Sequence, residues 1–290
     1  MTPSPSPRSS TPPGLAAVQD AAPTGPVLRV GGMAFANGVV MRSGKSWVWA
    51  RDDGTVLHGT AEPLLEGRRW LRLPVLRSAV SFIEMAAFSL RLHRLNGSRR
   101  TTRLLVCLAL CILASVALSS AVHAVIDNQM LGGVVLQVLG ILLALAVLQV
   151  GMGTEVWRYH GAEHKVVNAY EARADLRDAT ALQVFSRIHD RCGTNLVVIV
   201  LSLSLLCVPL GASALGQALS LVAAVFLIAV ALELFRLIER RPRSSFSRAV
   251  LFAGRTLQRV LTTREPRSEH LELASKALLG VIEAESASSQ

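Results

Sequence analysis

The sequence predicts a mainly α, polytopic membrane protein. It has about four transmembrane helices, a small N-terminal β-hairpin region and interfacial amphipathic helices on the cytoplasmic side. Three observations predict this. Of 290 residues, 51% are hydrophobic and only 17% charged, whereas a soluble domain carries about 25% charged residues. Aromatics are few, with 8 Phe, 4 Trp and 2 Tyr, so Leu, Val and Ala carry the apolar character, as in lipid-facing helices. The apolar residues also cluster into bilayer-length windows, and mean hydropathy is +0.43.

The elements follow in chain order. Residues 1–26 are rich in Ser, Pro and Thr and read as a disordered tail without the basic start and short apolar core of a cleavable signal peptide. Residues 27–66 form a cytoplasmic β-rich segment, with Asp53-Gly54 as its hairpin turn. An interfacial helix occupies 67–103, its helical run from Pro74 to Leu95. There Arg77, Ser81, Glu84, Phe88 and Arg91 share one stripe on an otherwise apolar surface.

The membrane domain is residues 104–239. Its four windows are Leu104–Ile126, Leu131–Met152, Leu196–Leu215 and Gly216–Ile238, each about the twenty residues a span needs. Pro209, Gly211 and Gly216 divide the last long run into a hairpin. Of the Lys and Arg residues, 14 precede the first window, 6 lie between the second and third, and 10 follow from Arg236 onward. Every one therefore falls on one side of a four-span arrangement. By the positive-inside rule that side is cytoplasmic, and it includes both termini and the connector 153–195. The location expected is the inner (plasma) membrane. Residues 240–282 read as cytoplasmic amphipathic helices, with Phe246, Val250, Ala253, Leu257 and Val260 along one face of the first. Residues 283–290 read as a loose tail.

The net charge of +10 then suits a surface lying against anionic lipid headgroups. Nucleic acid is the competing partner for so basic a chain, but no aromatic-interleaved basic motif supports it. Cys107, Cys111 and Cys207 lie in apolar runs and read as small hydrophobes, so no disulfide framework is expected.

The connector carries the chemistry. "YHGAEHK", Tyr159–Lys165, places His160 and His164 four apart, neighbours on a helix. Glu163 stands with them in an H-x-x-E-H pattern, in which two His bind zinc and Glu is the base. Downstream, "HDRCGTN" puts His189 and Cys192 three apart. His160, His164, His189 and Cys192 make a candidate set of ligands for a divalent metal, with zinc fitting best. The bland alternative is a group of solvated connector histidines. His58, His93, His123 and His270 read as ordinary structural or surface residues. Glu233, a carboxylate in the fourth window, is a candidate extra ligand or supporting partner; equally, it pairs with Arg236 one turn on. Glu84 has the same two readings, with Arg77 or Arg91 as its alternative partner.

Four motifs in order, "GGMAFANGVVMR", "YHGAEHK", "HDRCGTN" and "LTTREP", resemble the YqhQ-like family of bacterial integral membrane proteins, a domain of unknown function labelled a predicted metal-dependent enzyme. The resemblance covers about Arg29 to Ile282. It implies motif roles for Gly31, Gly32, Gly38, Met41 and Arg42, and for Glu84. It likewise implies them for Tyr159, Gly161, Lys165, Arg191, Gly193 and Thr194, beside the His, Glu and Cys residues, and for Thr262, Thr263, Glu265 and Pro266. The family pattern has Gln where this chain has Met33 and Glu where it has Asn37. If that Glu is a ligand or base, Asn37 weakens activity here; if it braces a turn, Asn substitutes.

Three functions fit these readings. The first is a membrane-embedded metal-dependent hydrolase acting at the cytoplasmic leaflet. The second is a non-enzymatic platform that docks a cytoplasmic protein, with a structural metal or a hydrogen-bonded His/Cys cluster. The third is an oligomeric transporter, for which four spans without a polar row give little support.

Overall fold

The computed structural model describes residues 28–61, 73–96, 109–206 apart from 111, 112, 116 and 123, and 220–288. The N-terminal tail, Cys107, Cys111, Cys207, His123 and the Pro209–Gly216 break lie outside the described residues.

The N-terminal segment is β-rich, as the sequence predicts. Strands β1 (Val30–Phe35), β2 (Gly38–Ser43), β3 (Ser46–Arg51) and β4 (Val56–Thr60) form one antiparallel sheet in sequence order. The Asp53-Gly54 turn joins β3 to β4, and Gly54 takes φ +82°. The two central strands are buried on both faces because alternate side chains enter different cores. Val39, Met41, Val48 and Ala50 join one. Val40, Trp47 and Trp49 join the other, together with Phe35 from β1.

Helix α1 (Pro74–Asn96) covers the second face with Phe88 and Leu92. Part of its stripe turns inward: Arg77 reaches Glu233, Ser81 accepts from Arg236, and Phe88 meets Trp47 edge-on at 6.0 Å, while Arg91 is exposed. Ile83, Met85 and Leu90 are exposed on its outer side.

Helix α2 (Gln129–Glu171) organises the molecule. Asn128 caps its start by accepting from Leu131 N–H at 3.0 Å. Gly153, at φ +77° and ψ 167°, breaks it at the boundary expected between the second window and the connector. The part before the break is outward-facing, with Leu131, Leu142 and Val150 exposed. Only 6% of the helix's most apolar window is buried, unlike the core helix of a soluble protein. It is the one helix, among the described residues, long and apolar enough to cross a membrane. The part after the break is almost wholly buried and joins the first core.

The C-terminal elements pack partly on that second half and partly on one another. A single turn, α3 (Ala179–Leu182), precedes the loop that carries "HDRCGTN". Helix α4 (Gly193–Leu206) is apolar but only 14 residues long. Helix α5 (Ser220–Arg240) runs over the fourth expected window. Ile199 of α4, with Ala231 and Ile238 of α5 and Leu251 of α6 (Ser245–Leu257), makes a third core. Ser244 caps α6. Its buried face is Ser247, Leu251 and Gly254, leaving Phe246 and Phe252 outward. One π-helical turn, Gln258–Thr262, follows. Helix α7 (Ser268–Ser288) lies along the first face of the sheet and continues well past residue 282, where the sequence reading expected a loose tail. There Glu285 accepts from Ser46 N–H at 3.1 Å, which fastens the end of α7 to the β2–β3 turn.

Candidate metal centre

Three distant segments meet at the second half of α2. Because positions four apart share a helix face, His160 and His164 lie side by side, with ring centroids 4.4 Å apart. Cys192, just ahead of α4, brings its Sγ to 3.3 Å from His160 Nε2. One nitrogen of each imidazole and this sulfur all lie within 4.8 Å of one another. Around a tetrahedral ion with bonds of 2.0–2.3 Å, ligand atoms are about 3.2–3.8 Å apart, so a small inward shift would close the set. Among the described residues this is the group that could hold an ion.

The imidazoles are also oriented. His160 Nδ1–H donates to the Thr262 carbonyl at 2.6 Å and His164 Nδ1–H to the Arg187 carbonyl at 2.7 Å. With the proton on Nδ1, each Nε2 keeps its lone pair, the arrangement metal-ligating histidines use. Thr194 N–H donates to Cys192 Sγ at 3.4 Å, a bond that a metal-bound sulfur would retain. The Thr194 and Thr262 hydroxyls meet at 3.1 Å and tie the α4 start to the π turn. Two halves of the sequence thus support one site.

Two loops are laced to α2 to achieve this. Lys165 Nζ donates to the Gln183 carbonyl at 2.6 Å and pairs with Glu265 at 2.5 Å. Asn168 donates to the Ser186 and Ile188 carbonyls at 2.7 and 3.1 Å. Together with His164, these side chains hold four carbonyls of the segment 183–188. The "LTTREP" segment crosses α2 at Gly161. A Cβ there would meet the Arg264 carbonyl oxygen at 2.2 Å, while Arg264 N–H donates to the Trp157 carbonyl at 2.9 Å. Arg187 Nη1 donates to the Thr263 carbonyl at 2.7 Å and its guanidinium pairs with Glu265.

The other candidates fall elsewhere. His189 lies beside the group, its ring centroid 5.8 Å from that of His164, but outside the three-atom cluster. Its Nδ1 accepts from Arg191 N–H at 3.2 Å, and its Nε2 is 3.6 Å from a Glu171 oxygen. Burial pushes the His189 imidazole below its ordinary value, and Glu171 partly opposes this. Glu163 points from α2 onto β1. It is buried, and a Cβ on Gly32 would meet its Cδ at 2.7 Å. Burial pushes its carboxyl above the usual range, with nearby His160 pulling it back.

Glu233 lies outside the three-residue group. Its oxygens accept from Arg77 at 2.9 and 2.6 Å, from Ser78 at 2.5 Å and from Arg236 at 2.8 Å. It joins α1 to α5, and the pairing with Arg236 is the alternative the sequence offered. Asn37 sits in the β1–β2 turn, where its carbonyl accepts from Asp52 N–H, and Glu84 lies on α1; neither belongs to the ligand group. Of the motif glycines, Gly38 has φ +150° with the Ala50 carbonyl 2.1 Å from a would-be Cβ, so only glycine fits. Gly31 has open space. Arg42 stacks over Phe88 at 5.1 Å. Arg191 is ion-paired to Glu171, and Gly193 begins α4.

Sequence reasoning missed Gln258 and Asn195. The fully buried Gln258 amide accepts from His189 N–H at 3.0 Å and donates to the His189 carbonyl at 3.1 Å. Asn195 donates to the Asp190 carbonyl at 2.6 Å and packs where a side chain on Gly254 would stand. His270, read as ordinary, is buried under Tyr159 and bonded to Glu155 at 2.9 Å. Only the oxygen-bearing residue types hint at such roles; the contacts themselves are long-range.

Among known proteins, this chain is 30% identical over 138 residues to the "Uncharacterized protein YqhQ" of Bacillus subtilis (strain 168). That match spans 47% of this chain and 43% of the relative, less than half the relative's length. No solved structure matches. The model of a family described as "Protein of unknown function (DUF1385)" matches residues 73–284, which hold both histidine motifs and the threonine segment. The chain therefore belongs to the DUF1385, YqhQ-like family.

Proposed function

We propose that this chain is a multi-pass membrane protein in which His160, His164 and Cys192 hold a divalent ion, zinc by preference, in a hydrolytic site beneath the cytoplasmic leaflet. One observation carries the reading: two imidazoles, each held through Nδ1 by a backbone carbonyl, and one thiol converge within 4.8 Å. Two His and one Cys give three protein ligands and leave a fourth position, as in catalytic zinc sites. When bound, such an ion activates water and polarises an acyl or phosphoryl oxygen. Glu163, the buried carboxyl beside His160, takes a proton at its carboxylate oxygens. Lys165 and Arg187 hold the surrounding loops through Glu265, and Thr262 keeps His160 in its tautomer.

The location follows from α2. His160 lies seven residues past Gly153, about 10 Å along the helix, which places it in the headgroup zone if the first half spans. The outward Phe246 and Phe252 near Arg248 and Arg255 of α6, with Val260 and Arg259 of the following turn, support an interfacial 245–260 segment. The four-span topology with both termini inside rests on the one-sided placement of Lys and Arg. The substrate class is an acyl or phosphoryl group of the inner leaflet.

A second reading rests on burial. His164 and Cys192 are 3% and 6% exposed, as suits an ion that only fastens α2 to the α4 loop.

Elemental analysis of the detergent-purified full chain tests the centre. About one zinc per chain is expected, lost in His160→Ala, His164→Ala and Cys192→Ser but kept in His189→Ala. Retention of zinc at wild-type stoichiometry in His160→Ala and Cys192→Ser rejects the assignment. Full complementation in cells by Glu163→Gln selects the structural ion.

A further inference from the structure

Three adjoining cavities open around the "HDRCGTN" loop, and its Arg191 borders all of them. The largest, about 920 Å³, lies at the end of α5 and is lined by Arg29, Arg77, Arg191, Arg236 and Arg240. The second adds Arg42, and the third adds Arg255 and Arg259. Against these eight guanidinium groups stand three lining carboxylates, Glu171, Asp190 and Glu239. Each holds one arginine: Arg191 on Glu171, Arg255 on Asp190 and Arg29 on Glu239. Glu233 holds Arg77 and Arg236 from outside the cavity. Even counting it, four positive charges remain uncompensated, and Arg240 and Arg259 have no acidic partner among the described residues.

An internal ion-pair network would balance its charges; this groove does not. We infer that it is a binding site for a phosphoryl anion. Arginine's planar fork suits phosphate, because two parallel N–H donors meet two oxygens. The largest cavity also has an apolar floor of Leu28, Ile238, Pro242 and Leu251, and the second is lined by Val30, Met33 and Phe88. Charged forks beside an aliphatic floor fit a phosphate attached to an apolar body better than a base-stacked nucleotide, for which the largest cavity offers no aromatic face. The cavity size is that of a small-molecule site. Its position at the arginine-rich end of α5 is where the charge distribution puts the inner leaflet. The site does not depend on the metal, since none of these arginines is a ligand.

The test is calorimetric titration of the full chain in detergent with three probes: dihexanoyl phosphatidic acid, dihexanoyl phosphatidylcholine and inorganic phosphate. Phosphatidic acid should bind about tenfold more tightly than phosphatidylcholine, and its affinity should fall as salt rises. Arg240→Gln, which breaks no ion pair, and the double variant Arg191→Gln/Arg240→Gln should each weaken it, the latter by about tenfold. Zinc content should be unchanged in both. Arg191→Lys should restore only part of the affinity, because an ammonium lacks the fork. Inorganic phosphate binding as tightly as phosphatidic acid would assign the site to a free phosphate ion; weaker binding assigns it to an amphiphile. Equal affinity for the acid and the choline lipid, or unchanged affinity in the folded Arg240→Gln and double variants, overturns the inference. Repeating the titration on metal-stripped protein separates its failure from that of the metal centre.

Discussion

Gly161→Ala is the substitution on which sequence and structure disagree most sharply. In an isolated helix interior, replacing glycine by alanine stabilises by about 1 kcal/mol, because the backbone loses less entropy. Here the new methyl would stand 2.2 Å from the Arg264 carbonyl oxygen. Ordinary contact requires the crossing strand to retreat by about 1 Å or more. That oxygen is backbone, so no rotamer change relieves the clash. Overpacking costs about 1–3 kcal/mol, and losing the bond from Arg264 N–H to the Trp157 carbonyl removes about 1 kcal/mol more. The net expectation is destabilisation by about 2 kcal/mol. For a chain of this size that lowers the melting temperature by about 4–8 °C. The retreat also moves Thr262, whose carbonyl sets the His160 tautomer, so zinc retention should fall with stability. Thermal unfolding in detergent, followed by circular dichroism, reads the first effect and elemental analysis the second. A melting temperature equal to or above wild type would refute the crossing of α2 by "LTTREP" and with it the origin of the centre.

Three further outcomes follow from single contacts. Gln258→Leu leaves the buried N–H and carbonyl of His189 without partners and should cost about 2–4 kcal/mol, read by urea titration; a cost under about 0.5 kcal/mol contradicts the bridge. Glu233→Gln weakens the fork to Arg77 and should raise hydrogen exchange in α1 while leaving zinc content unchanged; loss of zinc would restore Glu233 as a ligand. Hydrogen bonding to His270, aided by Arg158, holds the Glu155 carboxyl below its ordinary value. A depressed folded value contributes stability above the unfolded pKa and loses it as pH falls through the folded one. Glu155→Gln should therefore narrow the stability gap to wild type below about pH 4, and a gap independent of pH would remove the pair.

Local signals in the sequence carried much of this arrangement. Asp53-Gly54 marks a turn because its backbone demands φ above zero, and the structure puts it between β3 and β4. Gly153 ends an apolar run and begins a polar one, and the helix breaks there. His160 and His164 pair because 3.6 residues make a turn. Where the reading fell short, the deciding contact was distant in sequence. The H-x-x-E-H pattern keeps Glu163 beside His160, since a position three on lies only about 60° round the helix, but it does not reveal the carboxyl's other neighbour. That neighbour is β1, where Gly32 leaves space for it. H-x-x-C likewise suggests a His189–Cys192 pair on one helix, but α4 starts only at Gly193. His189 sits in the preceding loop and is fixed by Gln258, 69 residues away.

The same distances explain why the centre should be all-or-none. His160 and His164 sit on α2, but their tautomers are set by carbonyls of Thr262 and Arg187, and Cys192 is placed by the start of α4. None of these supports exists until the 183–191 loop and the 258–266 segment have both docked on α2. Loop closure over about 20 to 100 residues is entropically costly, so an ion that joins α2 to the loop stabilises the docked state by mass action. Metal removal from the wild-type chain should therefore lower the melting temperature and raise exchange in 183–191 and 258–266 together. Exposure of one segment without the other would mean that the histidines and the cysteine are held independently, and that the shared centre is not what brings them together.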